Sequence, residues 1–377
     1  MSGRPKKLKS FTPKSALTES EVVKNTSSTI QKRVSAKSKN AVLRAEDYID
    51  GIRAGNRTIL SQAITLIESS HANHFDLAQK VIEECMPYSG NSLRIGITGV
   101  PGVGKSTFID AFGIGMIERG HKIAVLAIDP SSSISKGSIL GDKTRMEALS
   151  SNENAFIRPS PSSGSLGGVA RKTRETIILC EAAGFDRILV ETVGVGQSEF
   201  AINSMIDFFL LLMLAGAGDE LQGIKRGITE MCDGLVITKA DGDNILKAEM
   251  AKIQYQNALH LFQPHASGCM PWVETASAVT NRGIGKILDL IAEYEATIKN
   301  NGYYEKRRSE QQNQSMFDAI HQQLYAAFYK SATIDSLLAD VTRLLEDKKL
   351  APYQAAQKLI DAYFKSLDGA NNQSPTR

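Results

Sequence analysis

Between a short apolar run and a helical stretch the chain carries Gly99-Val-Pro-Gly-Val-Gly-Lys-Ser106, a complete G-x-x-x-x-G-K-[ST] sequence. No other feature restricts the possible folds so strongly. Such a loop holds phosphate oxygens only if its glycines turn backbone N–H groups inward and a helix starts directly behind it, presenting its positive dipole end. A strand must therefore end near Gly99 and a helix begin near Lys105. The expected contacts are Gly99, Pro101, Gly102, Val103, Gly104, Lys105, Ser106 and Thr107. Lys105 would reach the β- and γ-phosphates, and the Ser106 hydroxyl would bind Mg²⁺.

The surrounding pattern supplies the rest of such a fold. Arg94–Thr98, Ile123–Asp129, Arg187–Thr192, Phe208–Leu214, Gly234–Thr238 and Trp272–Thr275 read as short strands. Helical stretches follow Lys105, Gly168, Asp243 and Gly283. Strands apolar on both faces, alternating with helices, imply an α/β fold: a mainly parallel sheet flanked by helices. Ahead of it, Ile59, Ala63, Ile64 and Ile67 share one helical face and Phe75, Ala78, Val81, Ile82 and Cys85 another. Past Gly302 the strands stop. Phe317, Ile320, Leu324 and Phe328 form one apolar stripe, Ile334, Leu337, Leu338, Val341 and Leu345 a second, and Leu359, Ile360 and Tyr363 a third. Helices appended to a complete sheet either fold back on it or pair with another subunit, and the stripes alone fit both. The expected organisation is a leader over 1–40, an N-terminal helical segment over 41–92, a nucleotide domain over 93–300 and a helical extension over 301–377.

Charge and cysteine usage exclude several other classes. Residues 1–40 hold ten Lys and Arg against two acids, a net +8, which leaves −5 for the body of a chain whose total is +3. An acidic body argues against a general nucleic-acid surface. The leader, rich in Ser, Thr and Lys with few large apolar residues, reads as disordered. It is acid-poor but has only two arginines, so the cytoplasm of a bacterium is the expected compartment and the mitochondrial matrix the alternative. The longest apolar run, Phe208 to Ala217, is half the ~20 residues of a membrane span, so no membrane partner is expected. Cys85, Cys180, Cys232 and Cys269 are isolated, without zinc-ligand spacing, and read as inert thiols. The pairs His71/His74 and His260/His265 lack a cysteine or carboxylate cluster to complete a metal site.

Two of the strands end in a carboxylate, Asp129 and Glu191. An acid at the end of a buried strand is costly without a cation or donors to meet it, and Mg²⁺ beside the phosphate loop answers that need. Gly194, three residues on, is placed so that its N–H would reach a γ-phosphate, which would make Val193 to Glu199 a nucleotide-sensing segment, although Gly194 and Gly196 fit a plain loop almost as well. At the end of another strand, Thr238-Lys239-Ala-Asp241 resembles the guanine motif [NT]-K-x-D, with Thr where most GTPases carry Asn. Asp241 would accept from the guanine N1–H and 2-amino groups, which adenine does not offer, and the Lys239 stem would lie over the base. Ser277 and Ala278, after the last strand, offer backbone N–H groups to the guanine oxygen.

Taken together, Leu60–Glu68, Gly96–Thr107, Leu126–Ser132, Gly137–Asp142, Glu191–Gln197 and Gly216–Lys225 resemble one family, the MeaB/ArgK/MMAA P-loop GTPases, over roughly residues 45–365. The resemblance implies a GTP hydrolase that acts as chaperone of an adenosylcobalamin-dependent mutase, usually methylmalonyl-CoA mutase, delivering and protecting its cofactor. It implies a homodimer joined through the C-terminal helices, and GTP or GDP with Mg²⁺ as ligands. By position Lys105, Asp129, Asp142 and Glu191 match the family's nucleotide and magnesium residues, and Asp142 rests on the resemblance alone. Gly216 to Lys225 matches a mobile segment that senses the partner. The basic leader is a departure from the family pattern. No side chain stands out as a base; Arg145, Arg171 and Arg174 are the arginines in plausible loops, so slow turnover and activation by a partner are expected. Two rival readings are a nickel-inserting GTPase, which would want clustered His and Cys, and an ArgK-type kinase of a transport-binding protein.

Overall fold

The computed structural model describes residues 43–69, 71–129, 146–161, 166–192, 198–216, 226–261 and 265–371. Its strands are β1 (Leu93–Gly99), β2 (Ile123–Asp129), β3 (Ala155–Pro161), β4 (Arg187–Thr192), β5 (Phe208–Leu214), β6 (Gly234–Thr238) and β7 (Trp272–Thr275). They form one sheet in the order β3-β2-β4-β1-β5-β6-β7, parallel at every pairing. The strand that feeds the phosphate loop is thus central, with the Glu191 strand hydrogen-bonded to one side and β5 to the other. In register, Ile97 pairs with Glu191. Because all strands run the same way, Gly99, Glu191, Thr238 and Thr275 emerge along a single edge, where ligands of open parallel sheets bind.

Six strands lie where the apolar runs predict them. The seventh, β3, carries Pro159 and Pro161, which remove two ladder donors and mask the strand in the sequence. Among the described strands it sits at the sheet edge, paired with β2 alone, the position where proline is tolerated.

Preceding the sheet are α1 (Ala45–Arg53), α2 (Arg57–Glu68) and α3 (Ala72–Cys85). Asn56 starts α2 by accepting from the Thr58 and Ile59 amides, and Leu60, Ala63, Ile64 and Ile67 are buried. On α3 the Ala78, Val81, Ile82 and Cys85 face is buried as expected. Phe75 is not part of it: the ring is half-exposed under the Arg171 guanidinium, 5.3 Å from its centroid.

Between the strands run α4 (Lys105–Glu118), α5 (Glu147–Ser151), α6 (Leu166–Ala182), α7 (Ser198–Asn203), α8 (Arg226–Met231), α9 (Ile245–Leu259) and α10 (Ile284–Asn300). Strand periodicity divides them between two layers. Leu93, Ile95 and Ile97 of β1 share a core with Phe108, Ile109, Phe112 and Met116 of α4 and with Ile287, Ile291 and Ile298 of α10. The opposite face of β1 bears Gly96, against which Ile202 and Ile206 pack.

Three helices close the described chain: α11 (Tyr303–Tyr329), α12 (Ala332–Glu346) and α13 (Pro352–Asn371). Ile334 and Val341 of the second stripe are buried, but Phe317 and Leu324 of the first are 52% and 61% exposed. No helix among the described residues is long and apolar enough to cross a membrane.

Candidate nucleotide-binding site

Gly99 ends β1 so close to β5 that a Cβ there would lie 2.5 Å from the Leu212 carbonyl oxygen, so only glycine lets the chain turn out of the sheet at this point. Gly104 has φ 91°, the left-handed region, and is the residue before α4. These two positions convert strand into loop and loop into helix within six residues. The Lys105 ammonium lies back across the loop, donating to the Gly99 carbonyl at 2.7 Å. Ser106, in the first turn of α4, places its Oγ 3.4 Å from Glu191 Oε1. Glu191 is buried, so Ser106 and this carboxylate are brought together as the sequence requires. Asp142 and Gly194, and the side chain of Asp129 at the end of β2, lie outside the described residues, as do 193–197 and 217–225.

Hydroxyl and carboxylate oxygens are hard donors, and a pair of them beside a phosphate loop suits Mg²⁺, which takes one or two protein oxygens and completes its shell from phosphate and water. No group of three His, Cys, Asp or Glu positioned to hold a metal occurs among the described residues. A soft-metal cargo site therefore has no ligand set there. The thiols are equally unsuited: burial pushes Cys85 up to about 11 and Cys232 up to about 12, so both stay protonated.

The base loop is bound physically to the phosphate loop. Thr238, buried at the end of β6, donates its hydroxyl to the Val103 carbonyl at 2.7 Å, with the Met213 carbonyl at 3.2 Å. Thr thus supplies a tether where most GTPases use Asn. Lys239 has φ 55°, an uncommon conformation for a residue with a Cβ. It is held there from both ends: its Nζ donates to the Gly102 carbonyl at 2.8 Å, and the Asn244 amide donates to its own carbonyl at 2.7 Å. The Asp241 carboxylate accepts from the Ser277 hydroxyl, which in turn accepts from the Thr280 amide at 3.2 Å. Ser277 therefore orients Asp241 through its side chain, a role that spacing does not reveal. Its amide is used elsewhere, donating to the Arg282 carbonyl at 2.9 Å, and the Ala276 amide donates to Ile237 at 2.9 Å. Ala278, the next residue along, is then the sequence candidate for an amide contact whose N–H is not spent in either of these two bonds. Ala278 and Thr107 line a cavity of about 450 Å³ that also includes Asp110, Ala111 and Asn281.

Two of the candidate arginines are corrected. Arg171 and Arg174 lie within α6, not in loops. Arg171 pairs with Glu175 at 2.7 Å; Arg174 bridges Asp318 at 3.0 Å and Ser204 at 2.7 Å. Arg145 lies outside the described residues.

The Thr238 tether gives a direct expectation. Thr238→Val keeps the shape but removes the donor, and loss of a buried hydrogen bond costs about 1–3 kcal/mol. Urea denaturation should show that loss at unchanged m value, while Thr238→Ser stays near wild type. Equal midpoints for the two variants would mean that shape alone holds this junction.

A phosphate loop rising from the central strand of a parallel sheet, with a neighbouring strand's carboxylate beside its serine and a Thr-Lys-x-Asp strand end tied to it, defines a P-loop GTPase. Residues 60–333 match the family described as methylmalonyl Co-A mutase-associated GTPase MeaB, and this chain belongs to that family. The chain is similar to GTPase ArgK of Escherichia coli, 42% identical over 315 residues that cover 84% of this chain and 95% of that protein. It is likewise similar to the mouse protein called methylmalonic aciduria type A homolog, mitochondrial, at 43% identity over 326 residues, covering 84% and 78%. Among solved structures, one described as an LAO/AO transport system kinase superposes with a TM-score of 0.69 at 35% identity, over 85% of this chain and 99% of that one.

Proposed function

We propose that this GTPase is Mg²⁺-dependent and gates an adenosylcobalamin-dependent acyl-CoA mutase, methylmalonyl-CoA mutase first among them, controlling delivery and protection of its cofactor. The match of residues 60–333 to a family described by its association with that mutase carries the reading. The site supports the nucleotide half of it. N–H groups of the phosphate loop, other than Pro101, which has none, and Val103, which donates to the Val100 carbonyl, cradle the phosphates, and Lys105 swings from the loop carbonyls onto the β- and γ-phosphates, stabilising charge on the transferring group. Ser106 and Glu191, with Asp129, hold Mg²⁺, which neutralises phosphate charge when bound. Asp241 reads the guanine edge and the Lys239 stem covers the base.

In hydrolysis, water forms a bond to the γ-phosphorus as the bond to the bridging oxygen breaks, leaving GDP and phosphate. Lys105 faces the oxygens on which charge collects. Of the candidate arginines, Arg171 and Arg174 are committed to structural pairs, which supports a transition-state shell completed by a partner. The isolated chain should turn over at about 10⁻² per second or slower, and addition of methylmalonyl-CoA mutase should raise this at least about tenfold. Phosphate release with and without the mutase checks it; turnover at tens per second without a partner would sink the scheme.

Phe317, Leu324 and Phe364, each more than half exposed, are proposed as part of a homodimer face. Light scattering should return the mass of two chains, and Phe317→Glu with Leu324→Glu should return one. The similarity to a transport system kinase supports a second reading, transfer of phosphate to a transport-binding protein. Labelled γ-phosphate distinguishes the two: it appears only as free phosphate in a hydrolase and on a protein acceptor in a kinase.

A further inference from the structure

Helix α11 lies on the body of the protein by its polar side and turns its apolar stripe outward. The Tyr304 hydroxyl reaches the Gly90 and Ser92 carbonyls, each at 2.8 Å. One turn on, Arg307 donates from Nε to the Ile206 carbonyl at 3.0 Å, and from Nη2 to the Asn203 carbonyl at 3.1 Å and Oδ1 at 2.9 Å. Gln311 donates to the same Ile206 carbonyl at 2.6 Å. Further along, Asp318 takes Arg174 Nη1 at 3.0 Å, and the other arm of Arg174 holds Ser204 at 2.7 Å. Three side chains from α11 and α6 thus converge on residues 203–206, the exit of α7. Carbonyls at a helix end lack partners within the helix, and a guanidinium is favoured there by the dipole.

The other contacts of α7 lead to the nucleotide site. Ile202 and Ile206 press on Gly96 so closely that a Cβ at Gly96 would meet Ile206 Cδ1 and lie 3.3 Å from Ile202 Cγ2. Gly96 is three residues ahead of Gly99 in the same strand, and its β4 partner is Val190, the neighbour of Glu191. Ser198, the first residue of α7, follows Glu191 by seven positions. The helix is therefore in contact with the phosphate-loop strand along its side and gripped by α11 at its exit.

That grip is incompletely paired. Arg174 Nε and Gln311 Oε1 are buried without a hydrogen-bond partner among the described residues. A polar layer with a spare donor and a spare acceptor has more than one way to pair, whereas an interlocked apolar ridge has one.

We propose that α7 couples the nucleotide site to the C-terminal helices: the phosphate state of the nucleotide sets the position of α7, and Arg174, Arg307 and Gln311 transmit it to α11. The coupling rests on the reading above that the chain binds GTP with the segment after Glu191 sensing its γ-phosphate. Neither arginine belongs to the phosphate or base loops, so both act as positioning residues. Coupling between binding equilibria is reciprocal, so loosening the grip must alter how well the site distinguishes GTP from GDP.

The test uses the full chain with Mg²⁺ and either GDP or a non-hydrolysable GTP analogue. Hydrogen exchange across 303–329 should differ between the two nucleotides in the wild type, and the difference should vanish in Arg307→Gln. The ratio of the two dissociation constants should shift by about fivefold or more with GDP affinity unchanged. Asp318→Asn alters one half-exposed partner of Arg174 and keeps the test available if Arg307→Gln does not fold; it should shift the ratio in the same direction. Identical exchange with both nucleotides in the wild type overturns the coupling. So do variants that weaken both nucleotides in equal proportion, the behaviour of a residue that serves structure alone. A wild type that fails to bind the analogue instead sinks the nucleotide reading beneath it.

Discussion

Asp241→Asn is expected to lower GTP affinity by about 10³- to 10⁴-fold and to improve binding of xanthosine triphosphate. Guanine presents two donors on the edge that Asp241 is proposed to read, and the carboxylate offers acceptors only. The Ser277 hydroxyl and the Thr280 amide behind it fix that carboxylate in place, so it cannot turn aside. An amide at the same position points a donor at the guanine amino group and leaves it unpaired in a buried contact. Xanthine carries a carbonyl there and accepts that donor. Displacement of a fluorescent GDP by each triphosphate measures the change. Unaltered GTP affinity would remove Asp241 from the base site.

Lys105→Ala should reduce single-turnover hydrolysis by about 10²- to 10³-fold, the usual cost of deleting one donor aimed at transition-state charge. The fold should survive, because the ammonium donates to the Gly99 and Val100 carbonyls of the phosphate loop and fills no part of the apolar core. Thermal unfolding of the ligand-free variant serves as the control. A drop of less than tenfold, in a variant that folds and binds, would place the phosphoryl charge elsewhere.

The phosphate loop and six strands are legible in the sequence for a shared physical reason. A strand buried on both faces must be apolar throughout, and a loop that wraps phosphate must place glycines at fixed offsets, so both leave compact marks. β3 leaves none because Pro159 and Pro161 look like breakers until the strand is known to lie at an edge. Ser277 shows a different gap: its position after a strand suggests an amide contact, but its amide is spent on Arg282 and its hydroxyl orients Asp241. Thr238 departs from the usual Asn and still supplies a tether, to Val103. On α11 the apolar stripe is plain in the sequence as one face, yet Arg307, Arg308 and Gln311 resemble ordinary solvated residues. Only the fold shows that they are the docked side, because their acceptors, the carbonyls of Asn203, Ile206 and Ser92, are a hundred or more residues away. Asp142, which no local pattern marks, comes from resemblance to the family.

The most direct test of the account is calorimetric titration of the wild-type chain with a non-hydrolysable GTP analogue and, in parallel, its ATP counterpart, both with Mg²⁺. A base site built on Asp241 and Lys239 predicts tight binding of the guanine nucleotide and an adenine nucleotide weaker by about 10⁴-fold. Equal or tighter binding of the ATP analogue would contradict the base site and return the kinase reading to first place.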